Sequence, residues 1–372
     1  MKSRLHNVEF LRFAFAAGLV YYHLLRANLV NAAPDPAVYS RLVAGCGWAC
    51  LLVECFCVLS GWFLPDSVRR SADQPFVAVF LGRFFRLWPV FAAAILLWAF
   101  LFRLPAESAA LHLLFLHGTG LSLEFKGILW FVPSFFWASV FLHAVLRCLP
   151  RPKAALVLSV IAFGGYAVNL GATHGGLGRE TVWGFLSLAL ARVAAGISLG
   201  ALLSIASDSF RAAFPASAGT GRFRGVVSAL GFTLLELAGY ALLTKWLFAG
   251  HAPFRNPLLV VALFSALLLS AASRAGWVSR ILDCPFFDRL GKYAYSVYVM
   301  QQVSFFLLAR TLWRWTSAFA AHPMAFLVIS VFLSVAMGIL AFHAVEHPVS
   351  VLWGRWKTAR AVHAANPRGS VP

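Results

Sequence analysis

Apolar residues run through this chain in long blocks, broken by short polar or basic stretches, with no sustained period-two alternation. Blocks of roughly 20 apolar residues have the length a helix needs to cross a hydrocarbon core. The pattern predicts ten helices, at about 8–30, 43–64, 86–104, 128–148, 154–170, 181–205, 225–247, 257–273, 293–312 and 324–346. An even number returns the chain to its starting side. The predicted fold is therefore all-α, a polytopic membrane protein with about ten transmembrane helices, residues 1–350 forming the membrane domain and 351–372 a basic tail that frays. The first block has no small-residue cleavage site and is expected to stay as a helix.

Composition agrees: 61 % of residues are hydrophobic, 12 % are charged and the mean hydropathy is +0.79, which excludes a soluble domain. The net charge of +18 is explained by membrane orientation better than by nucleic acid. Of the 31 lysines and arginines, 21 fall on the side of the two termini, 9 on the other and Arg192 within a span. The positive-inside rule places both termini in the cytoplasm. The six cysteines form no metal signature; four lie in one apolar segment, where small polarizable residues pack well.

Against this background a few ionisable residues stand out, because charge at membrane depth is costly and marks pathways or reaction centres. Arg12 and His23 share the first helix, eleven residues apart. That places them about 16 Å apart along the axis and on much the same face. A fixed cation near one surface with an imidazole deeper in suits an anionic substrate entering from that surface. Glu54 in VECFCVLSGWFL is expected mid-membrane, where it could pair with His23 and stabilise its imidazolium, or remain protonated within the bundle. Ser60 lies too far down to act as a nucleophile; it could line a cytoplasmic channel or pack with Gly61. Arg83 and Arg86 in GRFFRLWP, ahead of a proline expected to open the third span, could form with Arg12 an anion-binding mouth or contact lipid headgroups.

Other residues leave alternatives open. Arg192 and Glu236 could pair with each other, or Arg192 could extend the phosphate site. Trp130 could anchor the interface or stack on a sugar ring. Tyr293, Tyr295 and Tyr298 open the ninth span, which ends in Gln301-Gln302. His343, Glu346 and His347 suggest helix capping and salt bridges ahead of a metal site, and no metal is expected. The polar external segments 105–127 and 169–182 are candidates for shaping an acceptor site.

In this order the motifs resemble the bacterial membrane-bound acyltransferase-3 family. They are Arg12 with His23, VECFCVLSG, RFFR before a proline, Arg192 before an LG-containing span, LGKYAYSVY and the closing VEHP, together covering residues 5–355. The resemblance implies transfer of an acyl group, usually acetyl, from cytoplasmic acetyl-CoA to a hydroxyl of a cell-surface glycan or lipid-linked sugar at the periplasmic side of the inner membrane. It implies a catalytic role for His23 and contacts to the CoA phosphates from Arg12, Arg83 and Arg86, and leaves open which carboxylate assists His23; the reading of the residues themselves adds Glu54 as that partner and Ser60 and Arg192 near the donor. Trp130 and Tyr298 are candidate acceptor contacts. Where many members carry W-S-x-x-x-E, this chain reads WFVPSF with Phe135 at the glutamate position, and Gln301-Gln302 replaces a common histidine. Partners are then the glycan, acyl-CoA and membrane lipids, with no nucleic acid. The rival is a transporter or flippase for an anionic, lipid-linked sugar, which would favour inverted repeats and paired broken helices; neither is evident.

Overall fold

A computed structural model describes residues 5–27, 46–120, 127–213, 222–248, 256–312 and 323–365. The segment ends 28–30 and 43–45 of the first two predicted spans, and part of the external segment at 121–126, lie outside those residues. Each of the ten apolar blocks forms a helix: α1 His6–Ala27, α2 Leu52–Trp62 continued by α3 Leu64–Arg70, and α4 Phe76–Phe102. After the short α5 Ala106–Leu113 come α6 Phe131–Cys148, α7 Arg151–Ala172, α8 Leu188–Ala213 and α9 Arg222–Phe248. The chain closes with α10 Leu258–Ser273, short α11 Trp277–Ile281 and α12 Pro285–Gly291, then α13 Ala294–Leu312, α14 Pro323–Ala341 and α15 His347–Ala365. A two-residue hairpin, β1 Thr181–Val182 with β2 Leu186–Ser187, precedes α8. Eight helices among the described residues are long and apolar enough to cross a membrane; α10, with 16 residues, and α13 occupy the other two predicted positions. The protein is an all-α polytopic membrane protein.

Helix α8 lies at the centre, packed between α7 and α2, while α1 packs against α2, α12, α13 and α14. Glycine permits the closest approach. A Cβ on Gly61 would lie 2.0 Å from the Ile197 carbonyl oxygen, and one on Gly200 would lie 1.9 Å from that of Val58. Without a hydrophobic force between helices in lipid, such backbone contact is what holds two spans together. Exposed apolar side chains such as Phe100, Phe163 and Phe332 face outward, as a lipid-facing surface requires.

Two boundaries differ from the sequence pattern. The third span begins at Phe76, so Pro89 lies inside α4 and does not open it, and Arg83 and Arg86 are helical residues. Membrane helices tolerate an internal proline, and α13 packs against this stretch, the Tyr295 hydroxyl donating to the Leu87 carbonyl. The expected boundary at 350 falls inside α15, which stays helical to Ala365. Trp353 packs on Phe85 of α4 at 4.5 Å between ring centroids and on Trp356 at 4.7 Å, and this aromatic contact ties the basic segment back to the bundle. Between α14 and α15, residues Phe342–Glu346 form a π-helical turn.

Candidate functional site

His23 is on α1, one turn from its end, and its Nδ1 lies 3.1 Å from Oε1 of Gln301 on α13. Three further bonds fix that corner. Gln302 Oε1 accepts from the Ile128 amide at 2.9 Å, the Tyr298 hydroxyl donates to the Ile128 carbonyl at 2.7 Å, and Arg179 donates to the Gly127 carbonyl at 3.1 Å. Both backbone groups of Ile128 are thus held by α13, which fixes the turn ahead of α6. Arg179 and Arg26 lie within electrostatic reach of the His23 ring.

The expected partnership of His23 with Glu54 is not made. Glu54 on α2 is fully buried, and its Oε1 accepts from Arg192 of α8 at 2.6 Å while Oε2 accepts from the Tyr166 hydroxyl of α7 at 3.0 Å. An arginine one helix away satisfies the buried carboxylate fully, which leaves the imidazole to the amide of Gln301. Arg192 is likewise corrected. It neither pairs with Glu236 nor lines the phosphate site; it also donates to the Leu177 and Gly178 carbonyls, and its guanidinium covers the Trp130 ring at 5.2 Å. Asn169 clamps the same loop, donating to the Leu188 carbonyl at 3.0 Å and accepting from the Gly178 amide at 3.1 Å. Trp130 and Tyr298 both have partners within the protein. Trp130 is 9 % exposed with one face under Arg192, and the buried Tyr298 has its hydroxyl committed to Ile128.

At the end of the bundle nearer the N-terminus of α1 a cavity of about 880 Å³ opens, and Arg12, Ser60, Arg83 and Arg86 all line it. Six of its lining residues are lysine or arginine and three are acidic, so it carries an excess of positive charge suited to a polyanion. Arg12 is bonded to Glu9 at 3.2 Å and lies over the Phe63 ring at 4.9 Å. Arg83 donates to Nδ1 of His143 at 3.0 Å and to Ser67 Oγ at 3.4 Å. A guanidinium only donates, so Nδ1 of His143 accepts and its Nε2–H faces Ser71 Oγ at 3.4 Å. His23 is not among the lining residues; it lies further along α1 from Arg12.

Glu236 closes the α10–α11 connection instead of meeting Arg192: it accepts from Ser270 Oγ at 2.7 Å and from the Gly276 and Ser279 amides at 3.3 and 3.1 Å. At the other end of the chain, His343 contacts the Tyr293 hydroxyl at 3.1 Å, and the π-turn brings Glu346 to the cavity wall, where Ser296 donates to it. Outside the spans, His112 and His117 stack at 4.2 Å with rings nearly parallel. Burial, reinforced by His112, pushes His117 down to about 3, and burial lowers His112 as well. Sequence reasoning missed His143, Tyr166 and Asn169, whose roles come from packing between distant helices, and noted Gln301 only as a departure from a pattern.

A family model described as an acyltransferase domain matches residues 5–343 of the chain. No curated protein and no solved structure matches it.

Proposed function

We propose, given that this chain belongs to the acyltransferase-3 family of membrane acyltransferases, that it moves an acyl group, with acetyl the simplest case, from acyl-CoA to a hydroxyl of a cell-surface glycan or lipid-linked sugar. The observation that carries this reading is the cationic cavity ending on Arg12, the residue that shares an unbroken helix with His23. A CoA donor is anionic at its nucleotide end and carries its thioester on a long flexible arm. Its phosphates fit among Arg83, Arg86, Lys292 and Arg12, and the arm follows α1 toward His23. The excess of lysine and arginine on that face marks it as cytoplasmic, so the acceptor arrives from the periplasmic side of the inner membrane.

His23 takes the proton of the acceptor hydroxyl, and the oxygen attacks the thioester carbon. The C–S bond breaks, and the departing CoA thiolate receives that proton from the imidazolium. Direct transfer in a ternary complex needs no enzyme nucleophile, and Ser60 lines the cavity whereas His23 does not. Glu54 has no part in the proton transfer; with Arg192 it holds the loop that carries Arg179.

Transfer of label from [acetyl-14C]acetyl-CoA to endogenous glycan in inverted membrane vesicles tests the reading. Wild type incorporates label and His23→Ala does not. Equal incorporation by both removes His23 from the mechanism.

A further inference from the structure

Gln301 is 2 % exposed, yet its Nε2 group has no hydrogen-bond partner among the described residues, while its Oε1 faces His23 Nδ1. The neighbouring Gln302 shows what a purely structural glutamine does here, its oxygen being spent on the Ile128 amide. A buried amide donor left open beside the imidazole near the C-terminal end of α1 is expensive to keep and points to an acceptor that arrives with the substrate.

The acceptor and donor ends of the carboxamide have separate consequences. An oxygen 3.1 Å from Nδ1 can only accept, so Nδ1 carries the hydrogen. Nε2 of His23 then holds the free lone pair. The Gln301 NH2 group is bonded to the same carbon as the Oε1 that faces Nδ1.

We propose that Gln301 serves the acyl transfer with both ends of its amide: Oε1 holds His23 in the Nδ1–H form so that Nε2 is the base, and the NH2 group donates to the acyl oxygen as it becomes negative. This rests on the proposed acyl transfer at His23. As the acceptor oxygen bonds to the thioester carbon, its proton passes to Nε2 and the carbonyl electron pair moves onto the acyl oxygen, where Gln301 donates to it. On collapse the pair returns, the C–S bond breaks and the thiolate takes the proton from Nε2. Such a step needs a proton acceptor and an oxyanion donor at one carbon, and His23 of α1 and Gln301 of α13 are direct hydrogen-bond neighbours.

The full chain in native membrane vesicles, supplied with [acetyl-14C]acetyl-CoA, separates the possibilities. Gln301→Leu lowers kcat on the order of 10²-fold or more, with the KM for acetyl-CoA nearly unchanged, as loss of an oxyanion donor does. Gln301→Glu still accepts from Nδ1–H but cannot donate when ionised, and stays at least roughly tenfold below wild type. A wild-type rate in either variant, with His23→Ala inactive, overturns the role of Gln301 and leaves the acyl-transfer reading standing. Full activity in His23→Ala overturns both. A second measurement needs no turnover: in 15N-histidine-labelled protein, the signal lost in His23→Ala reports a protonated Nδ1 and a bare Nε2 in wild type. The opposite tautomer there overturns the proposal.

Discussion

Arg192 and Glu54 meet across α8 and α2 with the guanidinium 2.6 Å from the carboxylate, and neither is exposed by more than 6 % at its side chain. The same arginine reaches two carbonyls of the 177–178 loop, so a single buried pair couples the central helix contact to the loop carrying Arg179. A buried pair gains little over a well-packed apolar pair, but breaking it strands a charge.

Glu54→Leu or Arg192→Met alone is therefore expected to destabilise the protein by about 3–5 kcal/mol, whereas the two combined cost less than the larger single change. Reversible unfolding in mixed micelles measures all three. Additive losses in the double variant would show that the pair acts through something other than mutual charge compensation.

The chain Ser71–His143–Arg83 orients a cavity-lining guanidinium from the backbone of α3. With acyl-CoA as donor, His143→Leu raises the donor KM roughly tenfold, the size of about 1.4 kcal/mol of lost positioning, and leaves kcat nearly intact. Steady-state kinetics against acetyl-CoA provides the check, and an unchanged KM would detach His143 from donor binding.

Close helix contact makes Gly61 and Gly200 sensitive to a single methyl. Gly61→Ala and Gly200→Ala force α2 and α8 apart and each cost about 1–3 kcal/mol or more. Gly164, where an added Cβ meets no atom of the described residues within 4 Å, is the control: Gly164→Ala is neutral or stabilising by roughly 0.5–1 kcal/mol. Thermal melts that rank Gly164 alongside the other two would refute the packing account.

The stacked histidines set a pH dependence. In the unfolded chain His117 takes up its proton near about 6.5, whereas in the folded protein burial beside His112 holds it at about 3. Between those values the unfolded state binds more protons, so stability is full above the upper value and falls as pH drops toward the lower one. Tm of wild type falls from pH 7 to pH 4, and His117→Phe, which keeps the stack, flattens that slope. Parallel slopes would exclude the pair as its source.

The helices were legible because each apolar block had to satisfy its own backbone in lipid, and length alone then fixes the element. Ends were less legible. Pro89 reads as a helix start in water and is an interior residue here, and the polar 347–365 stretch gave no sign that Trp353 would pack on Phe85. In the site, the sequence marks Arg12, Glu54, Arg83 and Arg192 by the cost of burying charge. It does not say which charge meets which, because the choice between His23 and Arg192 for Glu54 depends on how α2 rotates against α8. Gln301 was quieter still, since an amide carries no charge to betray it.

Helix α1 runs unbroken from His6 to Ala27, so the interval between Arg12 and His23 cannot be adjusted by a hinge. On the proposed chemistry this helix is a ruler. A donor is accepted when the stretch from its anionic head to its reactive carbon matches one fixed length. A truncated donor then occupies the cavity as a competitive inhibitor and never reaches the imidazole. The reach of the donor's arm is thereby sorted by one rigid rod.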